Sequence, residues 1–417
     1  MALPTNILQN VATYQMSELA YLQNLNAFIS LANTKFKDFQ KFKGNLGSSV
    51  TFDLPSRFTS SDTLVATFQA SEQRAHTLTV DQAKNVSFAV SNQQELFNLD
   101  PIDYMNKFGK AAVEELGAAI ESNVADNIAR QHTYRFYGDG ITPINSYNQL
   151  AKMLAFYRNY GSAPGKLDVI LPDMVVPDIV SSGLNQFAPR RNDEEAMSWE
   201  LGNWHQADFF QSNFLPLHTA GTAGQSAQTL TVVSTDDPTG ANITQITFSG
   251  ATASDADAIK EFDKMQFDDG VTGQPNMRFL TFVGHKSSEN PVQLKVTADA
   301  AATGGGQVTV SIFPALQSTA GAGQNINNNI VAGMQVTVLP NHRSGVVVGG
   351  KAMYLAMPEL PEEVPYPTAT AHDPDTGVSL RKYFGSKFGE NERGMITDCI
   401  WGSTMPDEYG MAIIVPE

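Results

Sequence analysis

The feature that most constrains the fold is one long helix, which is predicted in the second hundred residues of the chain. Apolar residues recur there at every fourth position, as they do on one face of an α-helix. They are Tyr104, Phe108, Ala112, Leu116, Ile120, Val124 and Ile128. Asp100 is placed to cap the first turn, and Pro101 suits the first helical position. A helix of about 30 residues extends roughly 45 Å, so we expect it to support other elements.

Two segments that precede this helix have the character of arms. Residues 6–33 are predicted to form a helix with a broad apolar face. A short basic stretch follows, with Lys35, Lys37, Lys41 and Lys43. Both segments are expected to extend from the body of the protein.

A β-arm is predicted between the basic stretch and the long helix. Val50, Phe52 and Leu54 alternate with polar residues until Pro55 ends the strand. A second side carries Leu78 and Val80, followed by a turn predicted at 81–85 and a further strand with Val86, Phe88 and Val90. The residues between the two sides are polar. An isolated pair of strands is marginally stable, so residues 46–90 are expected to project and to lie on another surface.

The composition changes between residues 222 and 345. Tyr and Trp are absent there, and two hairpins are predicted at 229–250 and 292–316. The segment therefore indicates a β-rich module inserted into a mixed body that resumes at Val346. In that body we predict a helix at 147–160 and strands at 167–172, 352–357, 378–384, 395–401 and 410–415.

The sequence shows no set of residues that is typical of a catalytic site. The stretch GVVVGGKA, 345–352, satisfies the first seven positions of a phosphate-binding loop, but Ala352 stands where a Ser or Thr hydroxyl is needed for magnesium. A strand with a glycine bulge is favoured there. Cys399, the only cysteine, is expected to be a small buried residue of a strand. No catalytic residue and no cofactor is predicted.

Metal binding is not predicted either. Asp255, Asp257, Asp263, Asp268 and Asp269 lack the spacing of a calcium loop, so a solvated turn is favoured. No two of the histidines lie three to five residues apart, which argues against zinc bound by a local motif.

Charge limits the partners that the chain can have. It carries 43 acidic and 27 basic residues, a net charge of −16. Such a protein is not expected to coat DNA or anionic lipid, because binding to phosphate needs Lys and Arg. No signal peptide and no apolar run of membrane-spanning length is present in the sequence.

The order of these segments resembles the major capsid protein of tailed bacteriophages. It is most similar to the coat-protein family of short-tailed Salmonella phages, which carries an inserted β-domain. GSSVTFDLPSRF and NVSFAVSNQQELFNLD look like the two sides of that family's extended loop, and PIDYMNKFGKAAVEELGAAIESNVADNIA resembles its spine helix. LGNWHQADFFQSNFLPLHTAG resembles the segment that leaves the axial domain, and VTADAAATGGGQVTVSIFPAL, the most specific match, resembles a hairpin of the inserted domain.

The resemblance implies an α+β fold of the tailed-phage major capsid type, with an inserted β-rich domain. Five regions follow from it: an N-terminal arm, 1–45; an extended β-loop, 46–95; the spine helix, peripheral domain and first part of the axial domain, 96–221; the inserted domain, 222–345; and the return strands of the axial and peripheral domains, 346–417.

The implied function is structural, not enzymatic: self-assembly into an icosahedral shell that encloses double-stranded DNA without sequence-specific binding. The partners would be further copies in hexamers and pentamers, a portal protein and, optionally, decoration proteins, with no membrane. Because Met1 leads directly into the arm, a separate scaffolding protein is expected. The expected location is the virion capsid, after assembly in the cytoplasm of a bacterial host.

The candidate subunit contacts lie on the arms and on one charged loop. They are Lys35, Lys37, Lys41, Lys43, Phe52, Leu54, Arg57, Phe58, Phe68, Arg74, Arg190 and Arg191. For Arg190 and Arg191 a solvated loop of mixed charge is the favoured alternative. Two other functions stay open at this point: an extracellular surface-layer or carbohydrate-binding protein with a β-rich module, and an enzyme that binds a nucleotide at GVVVGGKA.

Overall fold

The computed structural model describes ten ranges of the 417-residue chain, and these ranges form two compact units. The described residues are 27–34, 49–58, 74–91, 108–161, 165–181, 203–204, 206–361, 368–372, 377–386 and 392–417. The first unit draws on Met1–Phe52, His76–Ala125 and Met353–Thr404. The second unit draws on Asp53–Ala75, Asp126–Ala352 and Met405–Glu417.

The described helices and strands are numbered here in chain order. The helices are α1 (Ala27–Leu31), α2 (Lys110–Ala125), α3 (Tyr147–Asn159), α4 (Val175–Ser181) and α5 (Thr222–Gln225), and a π-helix (Asp126–Gln131) continues α2. The strands before residue 225 are β1 (Ser49–Leu54), β2 (Arg74–Thr79), β3 (Gln82–Ser91), β4 (Phe136–Tyr137), β5 (Leu167–Pro172), β6 (Asn203–Trp204), β7 (Ala207–Ser212) and β8 (Leu217–His218).

The remaining strands fall into a middle and a C-terminal group. The middle group is β9 (Thr229–Thr235), β10 (Ile243–Ser249), β11 (Lys264–Phe267), β12 (Arg278–Leu280), β13 (Ser287–Pro291), β14 (Gln293–Val296), β15 (Gln307–Leu316) and β16 (Gln335–Val338). The C-terminal group is β17 (His342–Gly349), β18 (Tyr354–Ala356), β19 (Thr368–His372), β20 (Ser379–Ser386), β21 (Glu392–Thr404) and β22 (Gly410–Pro416).

The first unit is organised by α2 and a sheet. The predicted four-residue stripe is confirmed within α2, where Leu116, Ile120 and Val124 are buried. Both carboxylate oxygens of Glu121 accept the backbone N–H of Phe28, at 3.2 Å each, and so tie α1 to α2. The sheet has the order β18-β21-β20-β19, with β3 paired to β21.

Two local predictions need correction in this part of the chain. The turn predicted at 81–85 is wrong, because Gln82–Ser91 is one strand paired with β21 from Gln82↔Trp401 to Ser91↔Glu392. A ladder of that length outweighs the turn preference of its Asp and Asn residues. The helical segment also changes character at its end, since a π-helix follows Ala125 and the His132 N–H bonds to Asn127 O at 3.0 Å. Asp100 and Pro101 lie outside the described residues.

The second unit contains a sheet and a closed barrel. Among the described residues the sheet has seven strands, in the order β4-β22-β17-β5-β7-β6, with β8 paired to β17. The helix and strand predicted at 147–160 and 167–172 are confirmed as α3 and β5. Ser146 caps α3, since its hydroxyl accepts the backbone N–H of Gln149.

The barrel closes in the order β10-β15-β14-β11-β16-β9. The two predicted hairpins are confirmed, because β9 pairs with β10 and β14 pairs with β15, both antiparallel. Val308, Val310 and Ile312 point into a buried core, and Thr309 between them is exposed. Closure leaves no open strand edge in the barrel. The boundaries 222–345 of an inserted domain stay a prediction.

Candidate subunit interface

The strands β1 and β2 form a two-stranded ribbon, which contains part of the predicted β-arm. The strand predicted to carry Val86 and Phe88 on the second side of the arm is β3, which pairs with β21 and is therefore part of the sheet of the first unit and not of the ribbon. One side of β1 carries Val50, which is buried, and Phe52 and Leu54, which are half-buried. Pro55 follows Leu54 and cannot donate to a ladder, which agrees with the end of the strand. Across the strands the hydroxyls of Thr51 and Thr77 lie 3.1 Å apart.

Phe52, a predicted contact residue, packs within the first unit. Its ring centroid lies 4.6 Å from that of Tyr354 and 5.5 Å from that of His76. His76 Nε2 lies 2.7 Å from Thr404 Oγ1. Phe52 therefore contributes to the packing of the first unit of its own chain, and a polar substitution there would disturb this unit.

Two other predicted residues, Arg57 and Arg74, meet in the second unit. Both guanidinium groups bind the same carboxylate oxygen, Oε1 of Glu408. The guanidinium carbon of Arg57 lies 3.8 Å from the ring centroid of Phe282, and that of Arg74 lies 5.6 Å away, so both are within cation–π distance of this ring. We call Arg57, Arg74, Phe282 and Glu408 the arginine clasp.

Arg135 holds the backbone at Glu408, the residue to which the two arginines of the clasp bind. One amino group of Arg135 donates to the backbone oxygens of Glu408, at 2.6 Å, and of Gly410, at 3.2 Å. Arg135 is buried, and its guanidinium carbon lies 4.3 Å from the ring centroid of Tyr160. These contacts fix the backbone that presents the Glu408 carboxylate.

The arginine clasp has more positive than negative charge. Two guanidinium groups share one carboxylate, and among the described residues Arg57 Nε and Arg74 Nη1 are buried without a hydrogen-bond partner. Exposed apolar side chains adjoin it along the chain: Phe58, 62% exposed, follows Arg57, and Val283, 78% exposed, follows Phe282. These two side chains give the surface next to the arginine clasp an apolar component.

Lys35, Lys37, Lys41, Lys43, Phe68, Arg190 and Arg191 lie outside the described residues. Sequence reasoning missed Glu408 and Phe282, which complete the arginine clasp. No local signal marks them, since Glu408 lies 351 residues from Arg57.

A buried polar cluster connects the barrel to the sheet inside the second unit. His218 Nε2 lies 2.7 Å from Asp263 Oδ1, and the His218 and His342 ring centroids are 5.2 Å apart. Asp263 also accepts the backbone N–H groups of Gly221 and Lys260, at 3.1 and 2.8 Å. The prediction that Asp263 lies in a solvated turn is therefore wrong. Its neighbours satisfy the carboxylate inside the protein, which makes burial possible.

Burial also controls protonation in this cluster. It lowers the pKa of His342 to about 3, with the charges of Lys264 and His218 acting in the same direction. Burial lowers the pKa of Lys264 well below its usual value, and its amino group lies 2.8 Å from Thr133 Oγ1. These groups have the properties of a structural polar core.

The candidate catalytic segment lies in the interior of the sheet. Val346, Val347 and Val348 are buried in β17, which pairs with β5 on one side and β22 on the other. At Gly345 a Cβ atom would lie 2.7 Å from Ile170 O, so this glycine is required by close strand packing. The expected strand is confirmed, although its register with β22 is regular from His342 to Val348, without a bulge.

Three further features concern the single cysteine, metal binding and membrane spans. Cys399 is buried in β21, and burial, with the charge of Asp398, raises the pKa of its thiol to about 12. Within the described ranges no three His, Cys, Asp or Glu side chains come together as a metal ion would require. In the same ranges no helix has both the length and the apolar character needed to cross a membrane.

Of the comparisons with known proteins, the one with solved structures finds matches. No protein-family model and no curated protein matches the chain. A structure from Mycobacterium phage Che8 is 9% identical and has a TM-score of 0.46, covering 93% of this chain and 90% of that chain. The capsid of Cyanophage P-SCSP1u is 11% identical with a TM-score of 0.40, over 88% and 84% of the two chains.

A third similar structure is a virus-like particle from Pyrococcus furiosus, 6% identical with a TM-score of 0.38 over 95% and 96% of the two chains. The chain is thus similar over most of its length to structures that include phage capsids.

Proposed function

We propose that this chain is a structural subunit of a phage-type capsid, which assembles with further copies of itself into a closed shell. The observation that carries the proposal is the β1–β2 ribbon. The sheet described there has two strands, and a ribbon of that kind depends on packing against another surface. Its own chain supplies part of that packing, since Val50 and Leu78 are buried, but Phe52 and Leu54 stay half-buried. A second surface that covers it adds burial and pairs its edges.

The order of segments supports the same reading. The stretch that resembles one side of an extended loop contains β1, and the stretch that resembles a spine helix contains α2. The stretch that resembles a hairpin of an inserted domain contains β15, a strand of the barrel. These three stretches thus contain a strand, a helix and a barrel strand, which supports the proposal.

The finer proposal is a tailed-phage major capsid protein of the short-tailed Salmonella phage type, with the barrel as its inserted domain. Copies would form hexamers and pentamers, assembled in the host cytoplasm with a separate scaffolding protein and a portal, and with decoration proteins as an optional addition. The net charge of −16 suits a container for DNA, since a strongly basic lining would hold the genome tightly.

The two rival functions have less support. A carbohydrate-binding barrel would be expected to offer aromatic platforms, and residues 222–345 contain neither Tyr nor Trp. A nucleotide enzyme would need GVVVGGKA as an exposed loop, and its valines are buried in a central strand.

The proposal is tested by sedimentation velocity and negative-stain imaging of the purified chain, with and without a candidate scaffolding protein. Closed or partial shells, or rings of hexamer size, are expected. Phe58→Asp should abolish them without changing the unfolding transition, because Phe58 is largely exposed in the single chain. Met174→Asp, at a residue 82% exposed in the same unit, is the matched control and should assemble. A monomer under every condition would refute the proposal.

A further inference from the structure

In the arginine clasp, side chains next to the β1–β2 ribbon contact two side chains from distant parts of the sequence. We call Glu408 and Phe282 the receiving half of the clasp. Arg57 lies just after β1 and Arg74 is the first residue of β2, and both belong to the second unit, as do Glu408 and Phe282. We propose that in the assembled shell Arg57 and Arg74 of one copy bind Glu408 and Phe282 of a second copy, in the same contact that they make within a single chain. This inference rests on the proposed function, and it names the residues through which copies recognise each other.

Exchange of this contact costs little, because every copy carries both halves. When the ribbon leaves its own Glu408 and binds that of a neighbour, each ion pair and each stacking contact is replaced by an identical one. What the exchange adds is the rest of the surface that the two copies bury. Arg57 lies in residues 55–58, which are not part of a strand, and Arg74 is the first residue of β2, so a reorientation of the two arginines leaves most of the ribbon's regular structure unchanged.

The receiving half is built to present its carboxylate in the same way in every copy. The Arg135 bonds to the backbone oxygens of Glu408 and Gly410 hold the turn independently of the two clasp arginines. A partner ribbon would therefore meet a preformed carboxylate beside a preformed aromatic face. Preorganisation of this kind lowers the entropic cost of association.

Charge makes the contact selective. Two copies that each carry a net charge of −16 repel one another in general, so association needs local positive charge. The arginine clasp supplies two guanidinium groups for one carboxylate, and Phe58 and Val283 supply exposed apolar surface next to it. Paired opposite charges in an otherwise acidic surface fix the register of one copy on the next.

The test uses charge reversal divided between two chains. One variant carries Arg57→Glu with Arg74→Glu, and the other carries Glu408→Arg. Each alone is expected to give about tenfold fewer shells than the unaltered protein, because the weakened contact recurs at every copy. Mixed in equal amounts, the two variants should restore most of the yield, and mass spectrometry should find both in equal proportion in the particles.

A chain that carries all three substitutions distinguishes a clasp formed within one chain from a clasp formed between two copies. If it assembles but the mixture does not, the arginine clasp acts only within a chain and the inference is overturned. Normal assembly of either single variant would overturn it as well. If the unaltered protein forms no shells, the proposed function itself fails. The matched control is Asp269→Lys, which reverses another ion pair of the same unit, Arg278–Asp269 at 2.7 Å, and should not need a complementary partner.

Crosslinking gives a second measurement if a reversed variant does not fold. Arg57→Cys and Glu408→Cys are made in separate chains, coassembled and treated with a flexible bismaleimide. A covalent dimer is expected, since the native Cys399 is buried and does not compete. Recovery of monomer alone from intact shells would contradict the exchange.

Discussion

The strands of the barrel and of the β1–β2 ribbon share the same alternation of apolar and polar residues, but their apolar side chains are buried to different extents. In β15, Val308, Val310 and Ile312 face a closed core and are almost completely buried. In β1, Val50 is buried, but Phe52 and Leu54 stay half-buried. Alternation therefore predicts a strand and its inward face, and it does not reveal what covers that face.

The difference lies in how the strand edges are satisfied. Six strands close on themselves in the barrel, so backbone pairing and the apolar core are completed by one chain. The ribbon is held by Phe52 in one place and by the arginine clasp in another. The barrel therefore completes its own pairing and core, whereas the ribbon depends on contacts with other parts of the protein.

The largest expected effect comes from the core of the barrel. Phe248 is fully buried and lies opposite Val308 in β15 and Val232 in β9. Phe248→Ala is expected to lower the free energy of unfolding by about 3–5 kcal/mol, because it leaves a cavity in a close-packed core. The matched change in the ribbon, Leu54→Ala, should cost about 1 kcal/mol or less at a half-buried site. Urea unfolding followed by circular dichroism measures both, and equal losses would break the comparison.

The sequence predicts the barrel strands better than it predicts the contacts between distant elements. Strands such as β5 and hairpins such as β9–β10 follow from local alternation and turn residues, which a single chain displays directly. Glu408, in contrast, lies 334 residues from Arg74, and one acid near the C-terminus gives no sign of its partner. The same holds for His218 and Asp263, whose pairing depends on how the barrel meets the sheet.

The error at 81–85 has a related cause. Asp81 and Asn85 favour turns locally, but β3 pairs with β21, a strand more than three hundred residues further along. The ladder with that distant strand decides the conformation, as tertiary context commonly does for β-structure. For the candidate interface, the sequence supplied the ribbon's side of the contact, Arg57 and Arg74, and not the receiving side.

An intermediate effect is expected from acid at the junction of the barrel and the sheet. His342 faces His218, with Asp263 and Lys264 in the same cluster. Its pKa in the folded protein is about 3, below the usual 6.5, so the folded state binds fewer protons than the unfolded state. The stability that follows is present above pH 6.5 and is lost as the pH falls toward 3.

His342→Asn is expected to remove this dependence. Asparagine can keep the donor to Pro340 O, which lies 2.8 Å from Nδ1 in the native protein, but it does not titrate. Between pH 7 and pH 5 the unaltered protein should lose about 2 kcal/mol more of its unfolding free energy than the variant. Urea unfolding at the two pH values measures this, and identical losses would show that the junction is no more acid-sensitive than the rest of the molecule.

The smallest expected change in the free energy of unfolding concerns an ion pair next to the ribbon. Arg74→Met keeps an apolar stem over Phe282 but removes one of the two ion pairs with Glu408, at a side chain 27% exposed. Because ion pairs with solvent access contribute little, the free energy of unfolding of the monomer should fall by about 1 kcal/mol or less. The difference from the unaltered chain should shrink further in high salt. Arg278→Met, which removes another pair with a side chain 23% exposed, is the control and should behave alike in unfolding. A loss as large as that of Phe248→Ala would mean that the ribbon is held by its own subunit as firmly as the barrel is, and the distinction between the two regions would then be lost.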